Sequence, residues 1–317
     1  MNDQLQSDSE SLRFLADLYG KRATPLAPLS AGEWSRAYAF ALNGQQMVAR
    51  LGSHEEDLLK DQRMGAMSTA ALPIPKMIEV GRTPSGFFAV AERHYGTLLD
   101  ELDLEGMRKV LPSLLQTMHA IAELDTSSSQ GYGIWQPDGN GLHATWADAL
   151  LEVAGDRPRI PGWRNALERS ASAATAFDAG LAVLRKLLPE LPQERHYIHS
   201  DLLHHNVLVD GSRIESVLDW GNSMYGDQLY DAAWLIFCWP WYPEWRGIDI
   251  RSAFDEHWHH SGGLPANLET RLLAYQLHTG LSGMAFNAYV GHDDNVSRCA
   301  ELVNALVKRA CDTGIGT

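Results

Sequence analysis

The chain has 317 residues, of which 45% are hydrophobic and 21% are charged, so it is long and apolar enough to build one or two packed cores. Its formal net charge of −14 repels nucleic acid and anionic membrane surfaces and favours cationic ligands. The alternative is that the excess of acidic residues only increases solubility. The sequence has no run of roughly 20 apolar residues and no apolar leader, and its three cysteines form no CxxC pair. These features predict a cytoplasmic globular protein with reduced thiols and no membrane or nucleic-acid partner.

The first part of the chain alternates short helices and strands. Asn43-Gly44 is a strong hairpin dipeptide between two short strand-like runs, and the prolines of residues 72–75 end a run of helix formers. The predicted elements are a helix over 11–19, hairpin strands over 37–42 and 46–51, a helix over 54–70, and strands over 76–80 and 87–92. This order of elements predicts a small α+β lobe.

The remaining chain has mainly helical periodicity. Apolar residues recur at steps of three and four along the segment before Ala122, and Asp210-Gly211 marks a second hairpin. The predicted elements are helices over 98–122, 143–155 and 164–189, a loop over 126–141, strands over 207–209 and 214–218, and mostly helices after residue 231. We therefore expect a larger, mainly helical C-terminal region.

Residues 199–219 carry the motif with the most chemical information. His199, Asp201 and Asn206 have the spacing H-x-D-x-x-x-x-N, and Asp219 follows the second hairpin. Kinase-type phosphoryl transfer requires a carboxylate near the acceptor hydroxyl and oxygen ligands for Mg²⁺ on the phosphates. Each residue alone is a common turn former, but their ordered combination predicts Asp201 as the catalytic residue and Asn206 and Asp219 as the Mg²⁺ ligands.

This motif and several flanking segments resemble the aminoglycoside phosphotransferase family. The similar segments lie at residues 29–38, 70–75, 224–230 and 239–241, and the flanking ones look most like the hygromycin branch of the family. The resemblance covers roughly residues 26–241. It implies an ATP- or GTP-dependent enzyme that uses Mg²⁺ to phosphorylate a polycationic aminoglycoside, and thereby confers antibiotic resistance.

The same resemblance implies an α+β, two-lobed, protein-kinase-like fold. A small lobe with an antiparallel sheet, over residues 1–93, would bind the nucleotide, and a mainly helical lobe over 94–317 would bind the substrate and carry out catalysis. His199 and Asp231 would support the catalytic loop, although a structural, packed histidine is the favoured interpretation of His199 and a helix cap is an equal alternative for Asp231. We expect a monomer.

Arg50 lies in the strand where kinases usually place a lysine that contacts the nucleotide phosphates. Arginine keeps the charge and can bind phosphate through two donors, although a solvent-facing strand arginine is the simpler alternative. Asp61 is the predicted carboxylate partner on the following helix. Glu55, Glu56 and Asp57 are rivals, and all four acids could belong to a solvated helix face.

Two further segments are implied to contact the nucleotide. Ser30 and Gly32 lie where the family has its phosphate-covering loop, although the sequence there is not G-x-G-x-x-G. The backbone near Arg93 and His94 lies in the connection between the implied lobes, where it would bond the purine.

Recognition of a polyamine sugar requires carboxylates and aromatic faces. Trp239, Trp241, Glu244, Asp255 and Glu256 are candidates in the C-terminal region. Tryptophans in such a cluster more often belong to a core than to a ligand site.

Three other functions fit parts of the pattern. The first is a metabolic kinase of the same fold, acting on choline, homoserine or a fructosamine. The second is a nucleotide-binding pseudokinase, which the arginine at position 50 keeps open. The third is a metallohydrolase that uses His199, Asp201, His204 and His205, although no second ligand group with zinc-like spacing completes such a site.

Overall fold

A computed structural model describes residues 8–23, 27–31 and 34–316. The α-helices are α1 (Asp8–Tyr19), α2 (Glu55–Gly65), α3 (Leu104–Ala122), α4 (Trp146–Leu151), α5 (Trp163–Leu167), α6 (Ala171–Leu187), α7 (Leu229–Cys238), α8 (Ile250–His260), α9 (Leu268–Val290) and α10 (Asp293–Thr313). The strands are β1 (Ala27–Ala31), β2 (Ser35–Leu42), β3 (Gln45–Gly52), β4 (Met77–Thr83), β5 (Gly86–Glu92), β6 (Thr97–Leu98), β7 (Tyr132–Trp135), β8 (Gly141–His143), β9 (His196–Ile198), β10 (Val207–Asp210), β11 (Arg213–Val217) and β12 (Met224–Gly226).

By its internal contacts the chain divides into two compact units. The first unit comprises Met1–Ala120 and Leu202–Asn222, and the second comprises Ile121–Asp201 and Ser223–Thr317. Residues 94–120 and 202–222 thus group with the N-terminal part of the chain. The assignment of nucleotide binding to residues 1–93 and of catalysis to 94–317 stays a prediction about function.

The first unit contains a five-stranded sheet in the order β1-β2-β3-β5-β4, with every neighbouring pair antiparallel. Asn43 and Gly44 have positive φ angles, as the tight turn between β2 and β3 requires. One face of the sheet packs against Leu15 of α1, and its buried residues alternate along each strand, for example Ala49 and Leu51 in β3. Arg50 therefore projects from the opposite face.

A second, three-stranded sheet in the first unit has the order β11-β10-β6. Gly211 has a φ of 60° in the turn between β10 and β11, and Val207 pairs with Val217 at the open end of this hairpin. Residues 206 and 218 lie directly beyond that pair, so the hairpin brings the two ends of the predicted magnesium site to the same place.

The second unit is mainly helical. Helix α9 packs against α5, α6, α7 and α10, and a small sheet in the order β8-β7-β12-β9 lies in the same unit. Several helices begin at capped positions, such as Thr145 and Ser170, whose side chains accept backbone N–H bonds. Within the described residues, none of the helices combines the length and apolar character that crossing a membrane requires.

The predicted α+β class, with an antiparallel N-terminal sheet and a mainly helical remainder, is confirmed, as are both hairpins. The helix predicted over 54–70 ends early, at Gly65. Beyond it, the Ser68 hydroxyl accepts the Ile74 N–H at 2.9 Å and the Thr69 hydroxyl accepts the Leu72 N–H at 3.1 Å. These side-chain bonds replace helical ones, which is the usual way in which serine and threonine end a helix.

Two further expectations about secondary structure were wrong. The helix predicted from residue 98 begins at Leu104, because Thr97 and Leu98 pair with β10 and Asp103 caps the helix through the Gly106 N–H at 2.8 Å. The loop predicted over 126–141 contains strand β7, which pairs with β8 on one side and with β12 on the other. Strand β12 lies about ninety residues further along the chain, so local composition carried no signal for that pairing.

His278, on α9, provides a test of the core of the second unit. Its Nδ1 lies 2.7 Å from the Tyr230 hydroxyl, and burial, helped by the Arg157 charge, lowers its pKa from 6.5 to about 3. The unfolded chain therefore binds a proton between these pH values that the folded protein does not bind. Stability attributable to this residue is complete above pH 6.5 and is lost as the pH falls towards 3.

At pH 5 this linkage costs about 2 kcal/mol of unfolding free energy relative to pH 7.5. We expect the His278→Gln protein to lack this part of the acid-side decline, even if it is less stable overall. Urea unfolding at both pH values would measure the difference, with the exposed His259 changed to Gln as the control. Equal pH slopes for wild type and His278→Gln would contradict the prediction.

Candidate active site

The backbone before Asp201 is held by a buried carboxylate in the second unit. Asp231 accepts the His199 N–H at 2.9 Å and the Ser200 N–H at 2.7 Å. The Asp201 N–H in turn lies 3.2 Å from His199 Nδ1. Burial raises the pKa of Asp231, while the nearby His199 and the two N–H bonds oppose the shift. The structure thus places the predicted supporting residues His199 and Asp231 against the loop that carries Asp201.

The following part of the loop belongs to the first unit and has unusual backbone angles. His204 and His205 have φ angles of 57° and 69°, in the left-handed region that non-glycine residues rarely adopt. Asp100 accepts the His205 N–H at 3.2 Å and also lies 3.4 Å from the ring Nε2 of His205. The sequence analysis did not identify Asp100, since an acid in a short Asp-rich stretch has no distinguishing pattern.

Asn206 and Asp219 come together at the open end of the β10–β11 hairpin. The Leu218 N–H donates to the Asn206 carbonyl at 2.7 Å, and Asp219 is the next residue. Asp219 has a φ of 56° and its side chain is 46% exposed. The two predicted Mg²⁺ ligands, Asn206 and Asp219, therefore lie at and next to the two residues that this backbone hydrogen bond joins.

These two side chains fit a magnesium ion by the chemistry of their donors. Mg²⁺ prefers oxygen, keeps several waters and commonly takes one or two protein ligands together with substrate phosphates. In the part of the chain that the structure describes, no group of three or more His, Cys, Asp or Glu side chains could hold a metal ion. A metal that is held largely by substrate phosphates does not require such a group.

Arg50 pairs with two acids within the first unit. Its Nη2 forms an ion pair with Asp61, and its Nη1 lies 3.3 Å from Asp219 Oδ1. Although burial works in the opposite direction, Asp61 and Asp219 raise the pKa of Arg50 above its usual value, so it remains charged. Burial also raises the pKa of Asp61, and the Arg50 charge opposes this shift.

The structure distinguishes Asp61 from its three rivals. Glu55 lies 3.8 Å from Arg82 and Glu56 lies 3.5 Å from His54. Asp57 packs against Gly221, where an added Cβ would lie 2.8 Å from its Cγ. Asp61 is thus the acid that meets Arg50, while the role of this pair in nucleotide binding stays a prediction.

The other predicted nucleotide contacts lie at strand β1 and in the segment that follows strand β5. Gly32 lies outside the described residues, and Ser30 is described only as part of strand β1. The Arg93 N–H donates to the Gln46 carbonyl at 3.1 Å, so it is already used within the fold. His94 Nδ1 lies 3.3 Å from the Glu215 carbonyl. The predicted purine contact therefore depends on the remaining backbone groups of this segment.

The two candidate substrate tryptophans have different surroundings in the second unit. Trp239 is buried, and its ring centroid lies 4.8 Å from that of Trp245. Trp241 is partly exposed, and the Arg298 guanidinium lies 4.6 Å from its ring centroid. Packing in the core explains the position of Trp239, whereas part of the Trp241 side chain is exposed to solvent.

The three candidate acids also differ. Glu244 and Glu256 are exposed. Asp255 is bonded to Arg251 one turn earlier on α8, at 3.0 Å, and the same guanidinium also pairs with Glu269. Glu244 and Glu256 are therefore better placed than Asp255 to meet a cationic ligand.

The second unit also contains a buried aspartate whose partners are distant in sequence. Asp227 receives two bonds from Arg271, at 2.7 and 2.6 Å, and one from the Tyr275 hydroxyl at 2.5 Å. It also accepts the Leu229 N–H at 3.0 Å, near the start of α7. This network fixes the beginning of the helix that carries Asp231.

A strand cation paired with a helix acid, followed by the H-x-D-x-x-x-x-N loop and an aspartate after a hairpin, is the arrangement through which kinase-like folds handle nucleotide phosphates. The comparisons with known proteins agree. The profile of the phosphotransferase enzyme family, APH, matches residues 25–272. The chain belongs to this family, and the predicted resemblance is confirmed.

Three relatives illustrate the likeness. Hygromycin-B 4-O-kinase from Escherichia coli is 30% identical over 304 residues, which is 95% of this chain and 85% of the relative. A solved structure of a thermostable mutant of aminoglycoside phosphotransferase APH(4)-Ia, in ternary complex with AMP-PNP and hygromycin B, has a TM-score of 0.83 and is 29% identical in sequence. The superposition covers 96% of this chain and 99% of that enzyme's chain. Homoserine kinase from Pseudomonas aeruginosa is 32% identical over 111 residues, or 31% of this chain and 33% of that enzyme.

Proposed function

We propose that this protein transfers the γ-phosphate of ATP or GTP to a hydroxyl of an aminoglycoside of the hygromycin B type, and so confers resistance to it. The observation that supports this most strongly is the likeness to hygromycin-B 4-O-kinase over 95% of the chain. The similar enzyme that was crystallised with AMP-PNP and hygromycin B supports the same choice of ligands.

In the proposed reaction Asp201 orients the acceptor hydroxyl and accepts its proton. The transition state of phosphoryl transfer is loose, so most of this contribution comes from positioning and not from strong basicity. The Asp231 carboxylate supports this role because it holds the two N–H groups before Asp201. These two bonds hold the backbone of the two residues that precede Asp201, and thereby the position from which its side chain extends.

Asn206 and Asp219 would hold Mg²⁺, which, when bound, neutralises charge on the phosphates. Arg50 would bind the non-transferred phosphates through its planar fork of donors. Its ion pair with Asp61 fixes the guanidinium orientation before nucleotide arrives. The 3.3 Å approach of Arg50 to Asp219 also links the phosphate-binding and metal-binding side chains within one unit.

The acidity of the chain suits the proposed substrate. A net charge of −14 raises the local concentration of a polycation at low ionic strength. The partly exposed Trp241 and the exposed Glu244 follow α7 in the chain, and the exposed Glu256 lies on α8, so these residues offer an aromatic face and carboxylates within the second unit. We propose these three residues, before Trp239 and Asp255, as substrate contacts.

A metabolic kinase is the second candidate, because homoserine kinase matches about a third of the chain. Mass spectrometry would separate the two functions. The protein would be incubated with Mg²⁺ and either ATP or GTP, first with hygromycin B and other aminoglycosides and then with homoserine, choline and a fructosamine. We expect one added phosphoryl group on hygromycin B and none without nucleotide. Phosphate found only on a metabolite would contradict the aminoglycoside assignment.

A further inference from the structure

Helix α2 contacts the turn after Asp219 through two consecutive residues. Asp61 Oδ1 accepts the Trp220 N–H at 2.8 Å. Lys60 Nζ donates to the Gly221 carbonyl at 2.7 Å. Neighbouring residues of the helix therefore bind neighbouring residues of the turn, one as acceptor and the other as donor.

The burial of Lys60 distinguishes it from an ordinary helix-surface lysine. It is only 1% exposed, and moving an ammonium group out of water is costly unless the charge is hydrogen-bonded. A bond from a charged donor to a carbonyl is among the stronger hydrogen bonds in proteins. The contact with Gly221 is thus a substantial part of what keeps this side chain inside the fold.

The turn fits closely against α2. A Cβ added to Gly221 would lie 2.8 Å from Asp57 Cγ, so only glycine allows this approach. Asp57, Lys60 and Asp61 share one face of the helix because they are spaced three and four residues apart. The backbone at Asp219 has a φ of 56°, a conformation that persists in non-glycine residues only where the surroundings enforce it.

We infer that Lys60 is a positioning residue for Asp219: its bond to the Gly221 carbonyl holds the turn in the conformation from which the Asp219 carboxylate binds the metal–nucleotide. Asp61 serves the same turn but also pairs with Arg50, so its replacement would disturb two interactions. Lys60 allows the turn to be tested without changing Arg50 or Asp219. This inference rests on the proposed role of Asp219 in metal binding.

Lys60→Met tests the inference because methionine keeps most of the length and removes the donor. Hydrogen–deuterium exchange of a peptide covering residues 218–223 should be about ten- to a hundredfold faster in the variant, as expected for the loss of a buried charged hydrogen bond. Manganese binding in the presence of AMP-PNP, followed by electron paramagnetic resonance, should weaken by about tenfold or more. Binding of AMP-PNP without metal should be unchanged.

Lys76→Met is the matched control, because Lys76 is an exposed lysine of the same unit, and both measurements should equal those of the wild type. Gly221→Ala provides a second test if Lys60→Met does not fold. Its added methyl group would push the turn away from Asp57 while Lys60 itself stays unchanged. This variant should show the same faster exchange and weaker manganese binding.

Wild-type exchange and wild-type manganese affinity in a folded Lys60→Met or Gly221→Ala protein would overturn the inference. A wild-type protein that binds no manganese with AMP-PNP would instead contradict the proposed function. In that case the exchange measurement would still determine whether Lys60 holds the turn.

Discussion

Replacing Asp201 with Ala should lower turnover by about 10²- to 10⁴-fold, the usual contribution of a positioned base. Asp201 is partly exposed, and its backbone is held by the loop contacts of His199 and Ser200 with Asp231. Its side chain can therefore be replaced while these backbone contacts of the loop stay in place. Steady-state phosphorylation of hygromycin B would measure turnover, and calorimetric titration of AMP-PNP would measure nucleotide affinity.

The expected pattern is a large fall in kcat with little change in nucleotide affinity, because the acceptor and not the nucleotide loses its partner. Asp312→Ala is a suitable control, since Asp312 is an exposed aspartate of the same unit, near the end of α10. Turnover of Asp201→Ala within a factor of a few of the wild type would show that another group serves the acceptor hydroxyl.

Replacing Asp231 with Ala should destabilise the protein by about 3 kcal/mol or more. The carboxylate is buried and accepts two backbone N–H groups, from His199 and Ser200. Its removal leaves both donors without their partner in a place where water has little access. Chemical denaturation would give the loss of stability, and turnover should also fall because the loop before Asp201 is no longer held.

Asp249→Ala separates this effect from the general cost of removing a capping carboxylate. Asp249 is exposed and accepts the Ser252 N–H at 3.1 Å at the start of α8. Its replacement should cost about 1 kcal/mol, and turnover should not change. Similar losses of stability in the two variants would mean that the buried contacts of Asp231 contribute little.

Local patterns predicted much of the fold because their causes are local. The β2–β3 turn requires two residues with positive φ angles, and Asn43-Gly44 supplies them. In the β10–β11 turn Gly211 supplies a positive φ angle, while Asp210 is the last residue of β10 and pairs with Arg213. Strand β7 shows the limit, since it pairs with β12 as well as with the neighbouring β8, and a four-residue strand rich in glycine and aromatic residues cannot reveal the distant pairing.

The candidate site likewise has features that the sequence predicted and features that only the structure revealed. The spacing of Asp201, Asn206 and Asp219 is a sequence motif, and the hairpin between residues 206 and 219 explains why the two predicted ligands, which are separated in the chain, lie at its open end. Asp61 was selected from four acids by its position in the helix, and the structure pairs it with Arg50. By contrast, no spacing distinguishes Asp100 from other loop acids, although it holds the His205 backbone.

By itself the sequence determined the family, the phosphotransferase motif and the order of the main elements, because each of these is written in residue types at fixed separations. Only the tertiary structure decided which polar groups are buried and which groups they meet. Lys60 illustrates the difference: in the sequence it is one of several charged residues on a helix, and in the fold it bonds the turn beside Asp219. Burial depends on what packs above a residue, and that neighbour lies more than 150 positions away in the chain.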